Sequence, residues 1–151
     1  MFNLPELANS WMCEFVENGN TFHSADHYIM YRKALLFGDT DTATAILNTT
    51  ESDCTMWRVL GRRITGFDST TWRNAAPGIG EEAYTLKFSQ NQALLDILIS
   101  TGDSILVCNN FYDRYWGAGI INDSMLDQPS TWLGLNWSGD ALMVVRSQLA
   151  V

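Results

Sequence analysis

Residues 24–33 read Ser-Ala-Asp-His-Tyr-Ile-Met-Tyr-Arg-Lys and carry a carboxylate and an amine seven positions apart, at Asp26 and Lys33. Seven positions are two helical turns, so in a helix the two side chains share a face, about 10 Å apart along the axis. Such a pair can reach one pocket at the helix flank and divide acid–base or nucleophilic work between them. Spacing alone fits a solvated charge pair on a surface helix better. A second stretch, NFYDRYWGAG at 110–119, gathers Asp113, Trp116, Gly117 and Gly119. A carboxylate there can bind ribose hydroxyls, an indole can stack on a base, and glycine lets backbone approach a ligand closely. A tight turn around a core tryptophan is the equal alternative. Leu60-Gly61-Arg62-Arg63 supplies paired guanidinium groups, whose fork matches phosphate oxygens. A solvated helix end is the plainer reading. His23 and His27 stand at i, i+4, but His23 precedes the expected helix cap and no third ligand is near, so no metal is expected. No GxSxG, P-loop or GxGxxG occurs.

These residues need elements to hold them. Glu17-Asn18-Gly19-Asn20 reads as a turn between Cys13–Val16 and Thr21–His23, a small hairpin. Ser24 is suited to cap a helix, with Asp26 in the first turn and Gly38 as the stop. A second helix is expected over 41–47. A third is expected over 52–62, with Met56, Trp57 and Leu60 facing inward. Phe67-Asp68-Ser69 caps a helical turn carrying Trp72. Ala76-Pro77-Gly78-Ile79-Gly80 is expected to break the chain, and helices follow over 81–88 and 91–100. Residues 105–108, Ile-Leu-Val-Cys, form a candidate strand. Residues 109–138 are irregular, a length that often marks a functional loop, and a last helix runs over 138–149. This order favours a helix-rich α+β domain with a few short strands over regular βαβ alternation.

Composition narrows the partners. A chain of 151 residues with net charge −8 repels phosphate backbones in general, while a few local arginines suffice for one small phosphorylated substrate. Six tryptophans are many for this length; a large aromatic core accounts best for most of them, and a few are candidates for a pocket wall. Cys13, Cys54 and Cys108 form no CxxC or Cys/His pattern, so neither a disulfide framework nor a zinc site is expected. MFNLPELANS lacks a charged, then apolar leader, and no apolar run reaches membrane-spanning length. The expectation is a cytoplasmic protein of one domain, residues 1–151.

The separate signals fall in a recognisable order. Leu7-Ala8-Asn9-Ser10-Trp11 is similar to an LSNFY/W opening. Gly19 followed by Thr21-Phe22-His23-Ser24-Ala25-Asp26-His27-Tyr28 is similar to dGxxFxSvEHyyq, and Arg32-Lys33-Ala34 to xKA. Leu60-Gly61-Arg62, the later Trp72, Leu86-Lys87-Phe88-Ser89-Gln90-Asn91 and Thr101-Gly102-Asp103 follow in register. Asp113 with Trp116-Gly117-Ala118-Gly119 is similar to DxxWGxG, and Gly134-Leu135-Asn136 through Arg146 to GxNxlGxxLMxvR. Each motif is unspecific, but nine in order from residue 7 to 149 resemble the NADAR (YbiA-like) family.

The resemblance implies an N-glycosidase that hydrolyses a C–N bond between ribose and a nucleobase. It implies a catalytic set of Asp26, Lys33 and Asp113. Asp26 acts on ribose or water, Lys33 is an acid or a Schiff-base nucleophile, and Asp113 holds ribose hydroxyls. It implies Asn9, Trp11, Arg62, Trp72, Trp116 and Gly117 as substrate-binding residues, with Arg62 on phosphate and Arg63 as a weaker candidate. No cofactor and no metal are expected. The leading substrate is ADP-ribosylated guanine in nucleotides or DNA, with nucleic acid bound only in that modified form. The alternatives are ribosylaminopyrimidine phosphate intermediates of riboflavin synthesis, or a module that binds ADP-ribose without turnover. Four positions depart from the family. Asp26 stands where it has glutamate, Cys108 where it often has the glutamate of LvE, and Ala8 and Ser10 replace Ser and Phe of the opening. The aspartate keeps the charge but withdraws it by one methylene, about 1.5 Å, and displacements of about 1 Å can cost a hundredfold in rate.

Overall fold

Asn18 and Gly19 both take positive φ, +51° and +78°, and turn the chain tightly between β1 (Phe15–Glu17) and β2 (Asn20–Phe22). Two successive left-handed residues match the twist of an antiparallel hairpin. The pair is in register Phe15↔Phe22, and both rings point into the core, stacked 5.8 Å apart. The computed structural model describes residues 4–50, 54–110 and 112–150. Within them lie six α-helices, three short 3-10 turns and this one hairpin.

Helix α1 (Ala25–Leu36) starts where Ser24 accepts the His27 N–H at 3.0 Å, and it ends at Gly38, whose φ is +71°. Asp39 caps α2 (Thr40–Asn48) through the Thr42 N–H. Helix α3 (Thr55–Arg62) covers the expected third helix, whose first residues, 52 and 53, lie outside the described set. Met56 was expected inside and is 41% exposed, because the inward position of that turn belongs to Trp57, fully buried with its indole N–H on the Thr49 carbonyl.

The expected break at 76–80 does not occur. Helix α4 runs unbroken from Ser69 to Ser89, capped by Asp68, with Pro77 inside it. Proline removes one backbone bond and crowds the preceding turn, at a cost of about 3 kcal/mol. Tertiary burial outweighs this, since Trp72, Ala76, Ile79, Ala83, Tyr84 and Phe88 all face the core, where α4 packs along α1 and α6. Helices α5 (Gln92–Ser100) and α6 (Trp137–Leu149) follow the expected positions.

The expected strand at 105–108 is also absent. The segment pairs with no strand among the described residues: Asn136 accepts the Cys108 N–H at 2.8 Å and donates to the Leu106 carbonyl at 3.0 Å, and the Cys108 carbonyl accepts the Ala118 N–H at 2.8 Å. One side-chain amide and one loop N–H thus stand where a partner strand was expected. Asn136 itself sits at φ +54°, a region asparagine tolerates better than most residues.

The Lys87–Asn91 motif is an anchor. The buried Lys87 amine donates to the carbonyls of Glu6 and Ala8, Gln90 pairs with both backbone groups of Val16, and Asn91 reaches the Glu14 carbonyl. Together they tie the N-terminal segment and the hairpin to the end of α4. No described helix is long and apolar enough to cross a membrane.

Candidate functional site

A cavity of about 350 Å³ opens where α1, α3, α4, the N-terminal segment and the 108–116 loop meet. That is the lower end of the range for small-molecule sites. Helix α1 supplies Asp26 and Lys33, the two-turn spacing placing both on the cavity side, and α3 adds Arg58 and Arg62, again i and i+4 on one face. Trp72 from α4 and Asn9 from the N-terminal segment form further walls.

Asp26 is buried, with 6% of its surface exposed. Its Oδ2 accepts from Arg58 Nη2 at 2.6 Å, and its backbone N–H donates to the Asn9 carbonyl at 3.0 Å. Asn9 is held in turn, its Oδ1 accepting the Tyr84 hydroxyl and, at 3.5 Å, the Ser138 hydroxyl. The carboxylate therefore projects into the cavity from a fixed point with its charge partly matched.

Lys33 lies opposite a mostly neutral surround. Its Nζ donates to the Gly61 carbonyl at 3.2 Å and sits over the rings of Phe67 (4.9 Å) and Trp72 (5.4 Å). Burial lowers its pKa from the ordinary lysine value, and the neighbouring Arg62 cation lowers it further. This favours a larger share of free amine, the form that attacks carbon.

The loop is shaped by Asp113. Its Oδ1 accepts the backbone N–H groups of Tyr115 and Trp116 at 3.0 and 2.9 Å, a local turn that presents Asp113, Tyr115 and Trp116 together to the cavity. Trp116 is packed edge-on to Trp137 and lies against Gly80, where a Cβ would come within 2.7 Å of the indole. The helix glycine that looked like a breaker is thus the space into which Trp116 fits.

Of the nine residues expected at a site, seven line this cavity: Asn9, Asp26, Lys33, Arg62, Trp72, Asp113 and Trp116. Trp11 does not, being 38% exposed away from it, and neither does Gly117. Gly117 keeps the loop closed, since a Cβ would lie 2.4 Å from the carbonyls of both Asn110 and Asp113. Arg63 is exposed at the end of α3 and is not part of the lining. Arg58 and Tyr115 line the cavity without having been singled out, and so does Cys108, noted from the sequence only as a departure from the family. Arg58 was within reach of pattern reasoning, because it precedes Arg62 by one helical turn. Burial raises the pKa of the Cys108 thiol, with Asp113 adding to the effect, so it is a neutral wall group. Among the described residues no group of three or more His, Cys, Asp or Glu is arranged to hold a metal.

The NADAR domain family model matches residues 4–150. An N-glycosidase of Acanthamoeba polyphaga mimivirus is 36% identical over 135 residues, 87% of this chain and 78% of its own length. A riboflavin biosynthesis protein of Vibrio vulnificus is 27% identical over 143 residues, which cover 95% of this chain and 35% of that protein. The NMR structure of the E. coli protein YbiA superposes with a TM-score of 0.73 at 25% identity, over 96% of this chain and 77% of that one.

Proposed function

We propose, from the premise that the chain belongs to the NADAR family and is an N-glycosidase, that it hydrolyses the C–N bond joining ADP-ribose to a guanine in a nucleotide or in DNA. The observation that carries this reading is one cavity holding a buried carboxylate, an amine of lowered pKa and an aromatic wall beside Arg62, which makes no ion pair among the described residues. Breaking the bond builds positive charge at C1′ and negative charge on the departing base. Asp26, fixed by Arg58, stabilises the first by preorganised electrostatics. Lys33 serves the second step in one of two ways. As an ammonium it protonates the leaving nitrogen. As an amine it attacks C1′, the C1′–N bond breaks with a proton passing to the base, and the sugar opens to a Schiff base that water hydrolyses back to free lysine and the sugar aldehyde. Asp113 is assigned to ribose hydroxyls, Trp72 and Trp116 to the base, and Arg62 to phosphate.

Net charge −8 argues against a grip on long duplex, so a modified base in DNA enters single-stranded or flipped out. The three free cysteines support a reducing compartment, the cytoplasm. A second reading, hydrolysis of ribosylaminopyrimidine phosphates, is favoured by the Vibrio relative's role in riboflavin biosynthesis. Incubation with ADP-ribosylated guanosine and with the pyrimidine intermediate, followed by mass spectrometry, separates them: free ADP-ribose marks the first, ribose 5-phosphate the second. Asp26→Asn and Lys33→Ala should each abolish turnover while keeping the wild-type melting temperature within a few degrees. Full activity in both variants would refute the assignment. Borohydride added during turnover traps a sugar adduct on Lys33 only if the Schiff-base route operates.

A further inference from the structure

Arg73 follows Trp72 on α4, and its guanidinium lies over the ring of Tyr115, 5.5 Å from the centroid. Tyr115 lines the cavity, is 45% exposed at its mouth, and is tilted against Trp137 at 5.2 Å. Its backbone is pinned by the same Asp113 oxygen that shapes the loop. Trp137 therefore braces Tyr115, and Tyr115 braces Arg73. Arg73 makes no ion pair among the described residues, and neither does Arg62, although the chain has 17 carboxylates against 9 cationic residues. By contrast, Arg32 pairs with Glu82 and Arg58 with Asp26. Arginines left without a carboxylate beside a cavity of an acidic protein have their donor forks available for an anion.

The cavity volume sets the geometry of what binds. At about 350 Å³ it accommodates a ribose and a base, with little left for a second nucleoside. Whatever extends beyond the ribose phosphate must leave the cavity, and Tyr115 is the lining residue over whose ring the exposed Arg73 lies. We propose that Arg73, positioned by Tyr115, forms an outer subsite for the second phosphate of a diphosphate-linked substrate, with Arg62 serving the inner phosphate. The inference deepens the ADP-ribose reading and rests on it. Arg73 is the contact residue and Tyr115 the positioning residue. The pair makes the site prefer a nucleoside diphosphate sugar over a sugar monophosphate.

Calorimetric titration with ADP-ribose and with ribose 5-phosphate tests this without relying on turnover. Wild type should bind ADP-ribose more tightly than ribose 5-phosphate. Arg73→Ala should weaken ADP-ribose about tenfold and leave ribose 5-phosphate within about twofold, as expected for one lost charge-assisted contact. Tyr115→Leu should mimic Arg73→Ala, whereas Tyr115→Phe, which keeps the ring, should retain wild-type selectivity. Equal affinities in wild type, equal losses for both ligands in Arg73→Ala, or no loss at all would each overturn the subsite. Selective binding lost in Arg73→Ala, in a protein that releases no ADP-ribose from modified guanosine, would keep the subsite and sink the proposed reaction. Release of ADP-ribose with Arg73→Ala indistinguishable from wild type would do the reverse.

Discussion

His27, next to Asp26, makes stability depend on pH in a way that can be worked through. The ring is fully buried and stacked on Trp57, with centroids 4.2 Å apart and planes within 7°. Nδ1 accepts the His23 backbone N–H at 3.1 Å, and Nε2 donates to the Ile46 carbonyl at 2.8 Å. Both bonds form only on neutral imidazole with its hydrogen on Nε2. A second proton would put donor against donor at His23. Burial is the main cause that pushes the His27 pKa down to about 4; the Ile46 carbonyl opposes it and His23 adds to it. The unfolded chain takes up this proton below about pH 6.5, and the folded chain waits until about pH 4. Stability is therefore complete above pH 6.5 and drains away as pH falls towards 4. Linkage puts the loss between pH 7 and pH 5 at about 2 kcal/mol. Urea denaturation at both pH values should show a loss smaller by about that amount in His27→Gln, whose side chain does not titrate. Carbon-resolved NMR of the wild-type ring provides a second readout that needs no variant. An imidazole that titrates near pH 6.5 in the folded protein would refute the reasoning, as would an equal pH loss in His27→Gln.

Three further substitutions follow from the packing around the site. Lys87→Met leaves the carbonyls of Glu6 and Ala8 without their donor and should cost about 2 kcal/mol at pH 7 by denaturant titration. Burial holds the Lys87 pKa at about 8, so between pH 8 and pH 10 the unfolded chain keeps a proton that the folded chain has lost, and wild type should gain about 2 kcal/mol on the variant over that interval. A gap that stays constant would exclude the buried amine as its source. Gly78 and Gly80 give a matched pair on α4: a Cβ at Gly78 meets nothing within 4 Å, and one at Gly80 lies 2.7 Å from Trp116. Gly78→Ala should stabilise by roughly 0.5–1 kcal/mol through helix propensity. Gly80→Ala should instead destabilise by about 1–3 kcal/mol, shift the near-ultraviolet tryptophan dichroism and slow turnover, and like effects from both variants would refute the packing argument.

Caps and periodicity were legible in the sequence because they act over a few residues. Ser24 and Asp68 each cap a helix through their own side chain, and the two-turn spacing of Asp26 and Lys33 does put both on one cavity. What pattern reasoning missed depends on partners far along the chain. Pro77 and Gly80 carry strong local signals for a break, and burial of six α4 side chains outweighs them. Residues 105–108 have strand composition, yet they bond to the Asn136 amide some 30 positions away and to the Ala118 N–H, which no strand pattern announces. Arg73 and Tyr115 are 42 positions apart, and their pairing exists only because the Asp113 turn aims the ring at α4.

The placement of charge bears on how an acidic protein would select the phosphorylated substrate proposed for it. Lys33, Arg58 and Arg62 stand against Asp26 and Asp113 in the cavity lining, and Arg73 lies over the ring of the lining residue Tyr115, so the site is locally cationic in a chain of net charge −8. The outer surface repels polyanions over roughly a Debye length, about 8 Å at physiological salt, whereas a compact anion that reaches the mouth meets guanidinium groups at contact range. Arg58 also answers for the shortened acid at position 26. An aspartate free to choose its rotamer would hold its charge loosely, but a 2.6 Å bond from Arg58 fixes one of its oxygens where Asp26 lines the cavity. The methylene missing from Asp26 is thus met by an arginine that sets where the carboxylate stands, and the same arginine lowers the energy of keeping that charge buried until substrate arrives.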